Sequence, residues 1–226
     1  MNRAFVELLE GNLEHAAEVE SKLADLQDGQ APDVVSVCCS DSRVMQDGMW
    51  NVDEPGRVFT CGNIGTRVVQ RPDDGAVVSG DVLYPLVNTG TRTAVVVGHT
   101  GCGAVTAAYD ALTNGRVDPP GIEHSLALLK PSLEPGVEAL PAGLTNAEAV
   151  NHLVEYNVDR QVETLRTSDD VPDDVTAVGV VYDLHGVYGG RTGQVHVVNV
   201  DGEQTPETLR EEHPELDGRV ERRWTY

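Results

Sequence analysis

The stretch TAVVVGHTGCGAVTAAYDAL (residues 93–112) is the clearest indication of the fold class in this chain. Its first seven residues are rich in β-branched side chains and lack polar alternation, which is typical of a strand buried on both faces. A glycine-rich turn follows, and a helical pattern starts directly after it. A buried strand that passes straight into a helix is the repeating unit of α/β folds with a parallel sheet.

The rest of the chain repeats this alternation of strands and helices. Strands are predicted in DVVSV (33–37), GRVFT (56–60), DVTAVGVVYDL (174–184) and GQVHVVNV (193–200), and helices around 3–28, 75–89, 146–168 and 205–216. The last two strands flank the turn residues HGVYGGRT and predict a hairpin. The sequence therefore predicts an α/β fold: a mostly parallel central sheet of about four strands plus an antiparallel edge strand, flanked by helices, with an N-terminal helical arm.

The length of 226 residues fits one domain with a substantial core, and we expect a single domain over 1–226. Within it, residues 1–29 form the N-terminal helical arm. Residues 114–145 contain many prolines and glycines and are predicted to be a long surface excursion.

The composition is strongly acidic, with 37 Asp and Glu against 16 Lys and Arg and a formal net charge of −21. Phosphate binding needs a basic patch, so nucleic acid is excluded as an expected partner. A hydrophobic fraction of 40% argues against a disordered acidic protein. High salt would screen the self-repulsion of such a surface, which indicates a halophilic protein, with an ordinary acidic bacterial protein as the alternative.

The chain contains no run of about 18 apolar residues, so we expect no transmembrane helix and no membrane partner. The N-terminus lacks the apolar core of a signal peptide, and we expect a cytoplasmic location. The four cysteines are then expected to be reduced thiols that bind metal or fill the core, and not disulfides.

Two strand ends carry unusual chemistry. The stretch VVSVCCSDSRV (34–44) ends its strand in Cys39, with Asp41 and Arg43 close behind, and GHTGCGAV (98–105) places His99 three residues before Cys102. If the two strands are neighbours, the cysteines and the histidine converge, and this ligand set suits a zinc ion with an open fourth position. An H-x-x-C spacing alone also fits a core cysteine beside a loop histidine. A phosphate loop is the weaker alternative because the G-K-[S/T] of a P-loop is missing.

The paired motifs C-S-D-S-R and G-H-T-x-C-G resemble those of the β-class carbonic anhydrases, and the similarity covers roughly residues 28–185. The resemblance implies one Zn²⁺ per chain, reversible hydration of CO2 to bicarbonate and a proton, and attack by zinc-bound hydroxide on CO2. Carried over position by position, it implies the metal ligands Cys39, His99 and Cys102, the catalytic pair Asp41 and Arg43, and the substrate-binding residues Gln30, Phe59, Ile64 and Tyr84. We expect Cys38 and Cys61 to be core residues. Each pocket residue taken singly also fits an ordinary loop or core position.

One departure from the family pattern bears on subclass. Gly62 replaces an arginine of the second-strand motif, and Ser36 stands where bicarbonate-inhibited members carry tryptophan. The resemblance therefore implies the plant-type subclass. It also implies a homodimer or a multiple of dimers, in which the N-terminal helix wraps a partner and Gln30 acts on the partner's zinc.

Two alternatives remain open at this point. A carbonyl sulfide or carbon disulfide hydrolase needs the same zinc and the same Asp–Arg pair. A non-catalytic zinc protein needs a fourth Cys or His to close the site, and the nearest candidate, Cys38, is expected to face the other side of its strand because side chains alternate.

Overall fold

The computed structural model of the protein describes residues 2–71 and 75–226. Helices and strands alternate along most of the chain, as the sequence predicts. In order, the elements are α1 (Arg3–Ala24), β1 (Val34–Cys39), α2 (Gln46–Trp50), β2 (Val58–Asn63), β3 (Val69–Gln70), β4 (Val77–Val78), α3 (Gly80–Asn88), β5 (Thr93–His99), α4 (Gly103–Asn114), α5 (Pro120–Leu126), α6 (Lys130–Ala139), α7 (Asn146–Arg166), β6 (Thr176–Asp183), β7 (Gln194–Val200), α8 (Pro206–Glu212) and a 3₁₀-helix (Pro214–Arg219).

The central sheet has five strands in the order β2-β1-β5-β6-β7. The first four are parallel, and β7 pairs antiparallel with β6 at one edge, so the predicted fold class and the predicted hairpin are confirmed. A separate antiparallel pair, β3 and β4, has two residues in each strand and is not predicted by the sequence. β4 lies within the helix predicted around 75–89, and the helix itself begins only at Gly80. The strand order places the carboxyl ends of β1, β5 and β6 side by side, where functional groups collect in open α/β sheets.

Alternation along β1 divides the core between the two faces of the sheet. Val35, Val37 and Cys39 belong to the cluster under the large helices α4, α6 and α7. Cys38 lies on the other face with Val97, in a smaller cluster that Leu209 of α8 helps to cover. Burial on both faces explains why these strands are almost continuously apolar.

The segment 114–145, predicted as a surface excursion, differs from that expectation because it holds α5 and α6. Leu126, Leu129 and Leu133 are fully buried against the core. Pro120 is the first residue of α5, a position where a proline removes no intrahelical hydrogen bond. A proline-rich composition therefore did not distinguish a loop from a pair of short helices.

Helix α1 keeps most of its surface in solvent. Val19 is its one buried residue, whereas the large side chains of its first half are exposed: Phe5, Val6, Leu8, Leu9 and Leu13. Near its C-terminal end, Lys22 Nζ donates to the carbonyl of Asp53 over 3.0 Å and ties the helix to the body. Neither α1 nor any other helix in the described ranges has the length and apolarity to cross a membrane.

The C-terminal segment is held by two buried carboxylates of α7. Glu155 accepts hydrogen bonds from the backbone N–H groups of Arg223 and Trp224, at 2.8 and 2.9 Å. Asp159 pairs with Arg222, and both side chains are almost fully buried. Residues 222–224 are thus fastened against the helix that packs beneath the sheet.

Candidate metal centre

Three ligating side chains converge at the carboxyl edge of the sheet. Cys39 ends β1, His99 ends β5, and Cys102 is the N-cap of α4. All three are buried, and their ligand atoms lie within 4.8 Å of one another. Gly101 makes the tight turn between the last two possible with a φ of +63°, a conformation that glycine adopts without steric cost.

The imidazole of His99 is oriented for metal binding. Its Nδ1 lies 3.1 Å from the backbone carbonyl of Thr100, which can only accept a hydrogen bond, so the ring proton sits on Nδ1. Its Nε2 is buried and has no hydrogen-bond partner among the residues that the structure describes. A buried nitrogen lone pair that accepts no hydrogen bond destabilises a protein. A neutral imidazole with such a free lone pair is, however, the form of histidine that binds a metal ion. Two thiols and this imidazole therefore fit zinc.

A hydrogen bond joins the two thiols of the cluster. The Sγ of Cys102 donates to the Sγ of Cys39 across 3.9 Å. This hydrogen bond holds the pKa of Cys39 well below its usual value, whereas the same hydrogen bond and burial raise the pKa of Cys102. Cys39 is thus the more acidic thiol of the pair, and the thiolate is the form of cysteine that zinc binds.

The remaining cysteines lie in different surroundings. Burial raises the pKa of Cys38 and of Cys61 to about 12. The Sγ of Cys61 donates to the carbonyl of Asp81 at 3.4 Å, and Cys38 faces the opposite side of the sheet from Cys39. Within residues 2–71 and 75–226, no further Cys, His or carboxylate joins the three-residue cluster.

Asp41 stands beside the cluster and is held by Arg43. The guanidinium donates from Nε to Oδ1 at 2.9 Å and from its terminal nitrogen to Oδ2 at 2.7 Å, and the backbone N–H of Arg43 adds a third bond of 3.0 Å. These hydrogen bonds hold the pKa of Asp41 well below its usual range, so the carboxylate is ionised. Its Oδ2 lies 3.8 Å from the free Nε2 of His99.

The four predicted substrate-binding residues do not all lie near this cluster. Asn63 is the partner of Cys39 in the strand register, so Ile64, the next residue, lies at the level of the cluster. Phe59 instead pairs with Val35, about 13 Å lower along the strands at 3.3 Å per residue.

Tyr84 of α3 accompanies Phe59, with ring centroids 6.3 Å apart. Gln30 is exposed in the segment before β1, beyond the amino end of the strand whose carboxyl end carries Cys39. Within one chain, the predicted pocket residues therefore separate into Ile64 at the cluster and the remaining three toward the opposite end of the sheet.

Sequence reasoning missed a second group of polar residues around the His99–Cys102 turn. Thr100 and Asp183 are buried there, and His185 lies against the turn. Asp183 could have been predicted because it is a charged residue at the end of a predicted buried strand. Asp41 is predicted from the same pattern.

Comparison with known proteins places these features in context. The carbonic anhydrase family model matches residues 34–195. A carbonic anhydrase of Pseudomonas aeruginosa is 28% identical over 188 residues, which cover 83% of this chain and 81% of the relative.

Two solved structures share the fold. The β-carbonic anhydrase CcaA superposes with a TM-score of 0.75 at 20% identity, over 88% of this chain and 89% of that one. A second structure, from a report on two tetrameric β-carbonic anhydrases of Sordaria macrospora, gives a TM-score of 0.72 at 23% identity, over 88% of this chain and 98% of that one.

Proposed function

Because the chain belongs to the β class of the carbonic anhydrase family, we propose that it catalyses the reversible hydration of CO2 to bicarbonate and a proton. The observation that carries this proposal is the buried Cys39–His99–Cys102 cluster, with its free imidazole lone pair next to an ionised Asp41.

We assign one Zn²⁺ per chain to this cluster, with Cys39, His99 and Cys102 as its ligands. Zinc, when bound, supplies a Lewis acid that lowers the pKa of a water molecule so that it becomes a nucleophile near neutral pH. Three protein ligands leave one coordination position open, which is the arrangement of catalytic zinc sites and not of structural ones.

Asp41 and Arg43 are the proposed catalytic pair. The Asp41 carboxylate is ionised and can only accept hydrogen bonds. It would therefore accept a hydrogen bond from the O–H group of the nucleophile, so that a lone pair on the nucleophile's oxygen is directed at the carbon of CO2. Arg43 holds both carboxylate oxygens and thereby fixes the direction from which Asp41 accepts.

The substrate pocket is proposed to form between two copies of the chain. Gln30, Phe59 and Tyr84 lie toward the amino end of the sheet, away from the metal cluster of their own chain. In a homodimer or a multiple of dimers, they would complete the pocket of the partner, where Ile64 lies at the cluster. The exposed apolar side chains on α1 support this assembly because a single chain leaves them in water.

Further features define the proposed type and setting of the enzyme. Gly62 and Ser36 lack the side chains of a bicarbonate-inhibited member, which supports the plant-type subclass. The net charge of −21 supports a halophilic protein, and four free thiols support a cytoplasmic location. We regard residues 1–226 as one domain, with 1–29 as its arm.

Stopped-flow hydration of CO2 by the zinc-loaded protein tests the function, with carbonyl sulfide hydrolysis measured in parallel. We expect rapid CO2 hydration that Asp41→Asn reduces at least tenfold while zinc stays bound. Asp118→Asn is the control, because Asp118 also holds an arginine by two hydrogen bonds, from Arg116, but follows the C-terminal end of α4, whose N-terminal end carries Cys102. A zinc-loaded protein that hydrolyses carbonyl sulfide but leaves the rate of CO2 hydration at its uncatalysed value would refute the proposal.

A further inference from the structure

Asp183 organises the connection that follows β6. Its carboxylate is buried, and it accepts the backbone N–H of His185 on Oδ1 at 3.1 Å and that of Tyr188 on Oδ2 at 3.0 Å. Burial alone would raise the pKa of Asp183, but these and neighbouring backbone donors outweigh it and lower the pKa. The backbone N–H groups of the connection therefore point at the ionised carboxylate of Asp183.

Thr100 links this connection to the metal-ligand turn. It lies between His99 and Cys102 in the chain, and its backbone N–H donates to the carbonyl of Tyr182 at 3.1 Å. Its hydroxyl accepts the backbone N–H of Leu184 at 2.9 Å and lies 3.4 Å from Oδ1 of Asp183.

The same hydroxyl lies 2.8 Å from Nδ1 of His185. With the hydroxyl proton directed to Asp183, Thr100 Oγ1 accepts from both Leu184 and His185, and all its hydrogen-bonding capacity is used. The carbonyl of Thr100 meanwhile accepts Nδ1–H of His99. Thr100 thus binds the connection after β6 through its hydroxyl and orients the imidazole of His99 through its carbonyl.

The turn itself has no spare room. A β-carbon added at Gly101 would lie 2.7 Å from Cε1 of His185, so the connection packs directly onto the turn. The backbone N–H of Gly101 donates to Oδ1 of Asn151 at 2.9 Å and fastens the turn from the side of α7. A shift of the connection would therefore be transmitted to the positions of both ligands.

We propose that Asp183 and Thr100 are positioning residues, which act through the connection after β6 to hold His99 and Cys102 in the geometry that binds the metal. This inference rests on the proposed zinc site. It predicts that the two residues affect metal affinity although neither is a ligand. The outer partners of metal ligands typically contribute 10- to 100-fold to metal affinity or activity.

The test measures the zinc affinity of the full-length protein by competition with a chromophoric chelator. Thr100→Val removes the hydroxyl at nearly constant shape, Thr100→Ser restores it, and Asp183→Asn removes the charge. Asp174→Asn is the matched control, because Asp174 joins the same two strands at their amino ends by accepting from Arg92 at 2.7 Å. We expect about 10- to 100-fold weaker zinc binding for Thr100→Val and Asp183→Asn, and wild-type affinity for Thr100→Ser and Asp174→Asn.

A second readout separates positioning from general stability. The cobalt-substituted Thr100→Val protein should show altered cobalt–thiolate absorption, which a merely structural role would leave unchanged. Wild-type zinc affinity in Thr100→Val would overturn the inference, even if Asp183→Asn failed to fold. A wild-type protein that does not bind zinc would overturn the proposed function and this inference together.

Discussion

Replacement of Arg43 by alanine tests the proposed catalytic pair most directly. The Arg43 guanidinium donates both side-chain hydrogen bonds that the Asp41 carboxylate accepts in the described part of the chain, at 2.9 and 2.7 Å. In the variant, that carboxylate keeps the hydrogen bond from the backbone N–H of residue 43. The carboxylate then rotates more freely, and it can turn toward the cluster, whose His99 Nε2 is already 3.8 Å from Oδ2.

The structure sets the scale of the loss. Two unit charges about 4 Å apart interact by about 4 kcal/mol at the effective dielectric constant of a protein surface. The Asp41 side chain is 17% exposed but that of Arg43 is 50% exposed, so solvent screening reduces this value toward the range of surface ion pairs, below about 1 kcal/mol. The contact is bidentate and both of its hydrogen bonds are charge-assisted, which places it above a typical surface pair. We therefore adopt about 1 to 2 kcal/mol, which corresponds to about a 5- to 30-fold loss of kcat/KM.

The assay is stopped-flow CO2 hydration by proteins of measured zinc content. Arg43→Ala should retain zinc and lose about tenfold in kcat/KM, and Arg43→Lys should fall between, since an ammonium keeps the charge but not the two-pronged geometry. Arg116→Ala is the control, because Arg116 makes the same two-pronged contact with Asp118, at 2.8 and 2.9 Å, beyond the C-terminal end of α4. Unchanged turnover in Arg43→Ala would remove the pair from the mechanism.

The other predictions concern ligands, thiols, salt and the C-terminal segment. Metal analysis should show that zinc is lost in Cys39→Ser, His99→Ala and Cys102→Ser. Zinc should be kept in Cys38→Ser and Cys61→Ser. At pH 8, Cys38 and Cys61 should resist iodoacetamide because burial holds their pKa near 12, and mass spectrometry of the native protein would reveal any rapid labelling that contradicts this. The melting temperature should rise from dilute buffer to molar KCl because salt screens the net charge of −21. A melting temperature that does not change with salt would leave the halophilic interpretation without support. Arg222→Met should cost about 3 to 5 kcal/mol in urea unfolding because it leaves Asp159 buried without its cation, and a further Asp159→Asn change should recover part of that loss.

Features that depend on neighbouring residues in the chain can be predicted from the sequence alone. Burial of the strands is visible in runs such as residues 93–99, because a strand covered on both faces has no polar side to alternate. The positions of Cys39, Asp41 and Arg43 after one strand, and of His99 and Cys102 after another, likewise follow from motifs of a few residues. The class of fold and the candidate ligands were therefore accessible without coordinates.

Features that depend on contacts between distant segments are visible only in the folded chain. The strand order places β1 next to β5, which brings together the sulfur atoms of Cys39 and Cys102, 63 residues apart in the chain. The link from Thr100 to Asp183 spans 83 residues and leaves no periodic or local pattern. The division of the pocket residues between two ends of the sheet depends on strand register in the same way. Local patterns report which face of an element is buried, whereas the partner across that face is selected by packing of the whole chain.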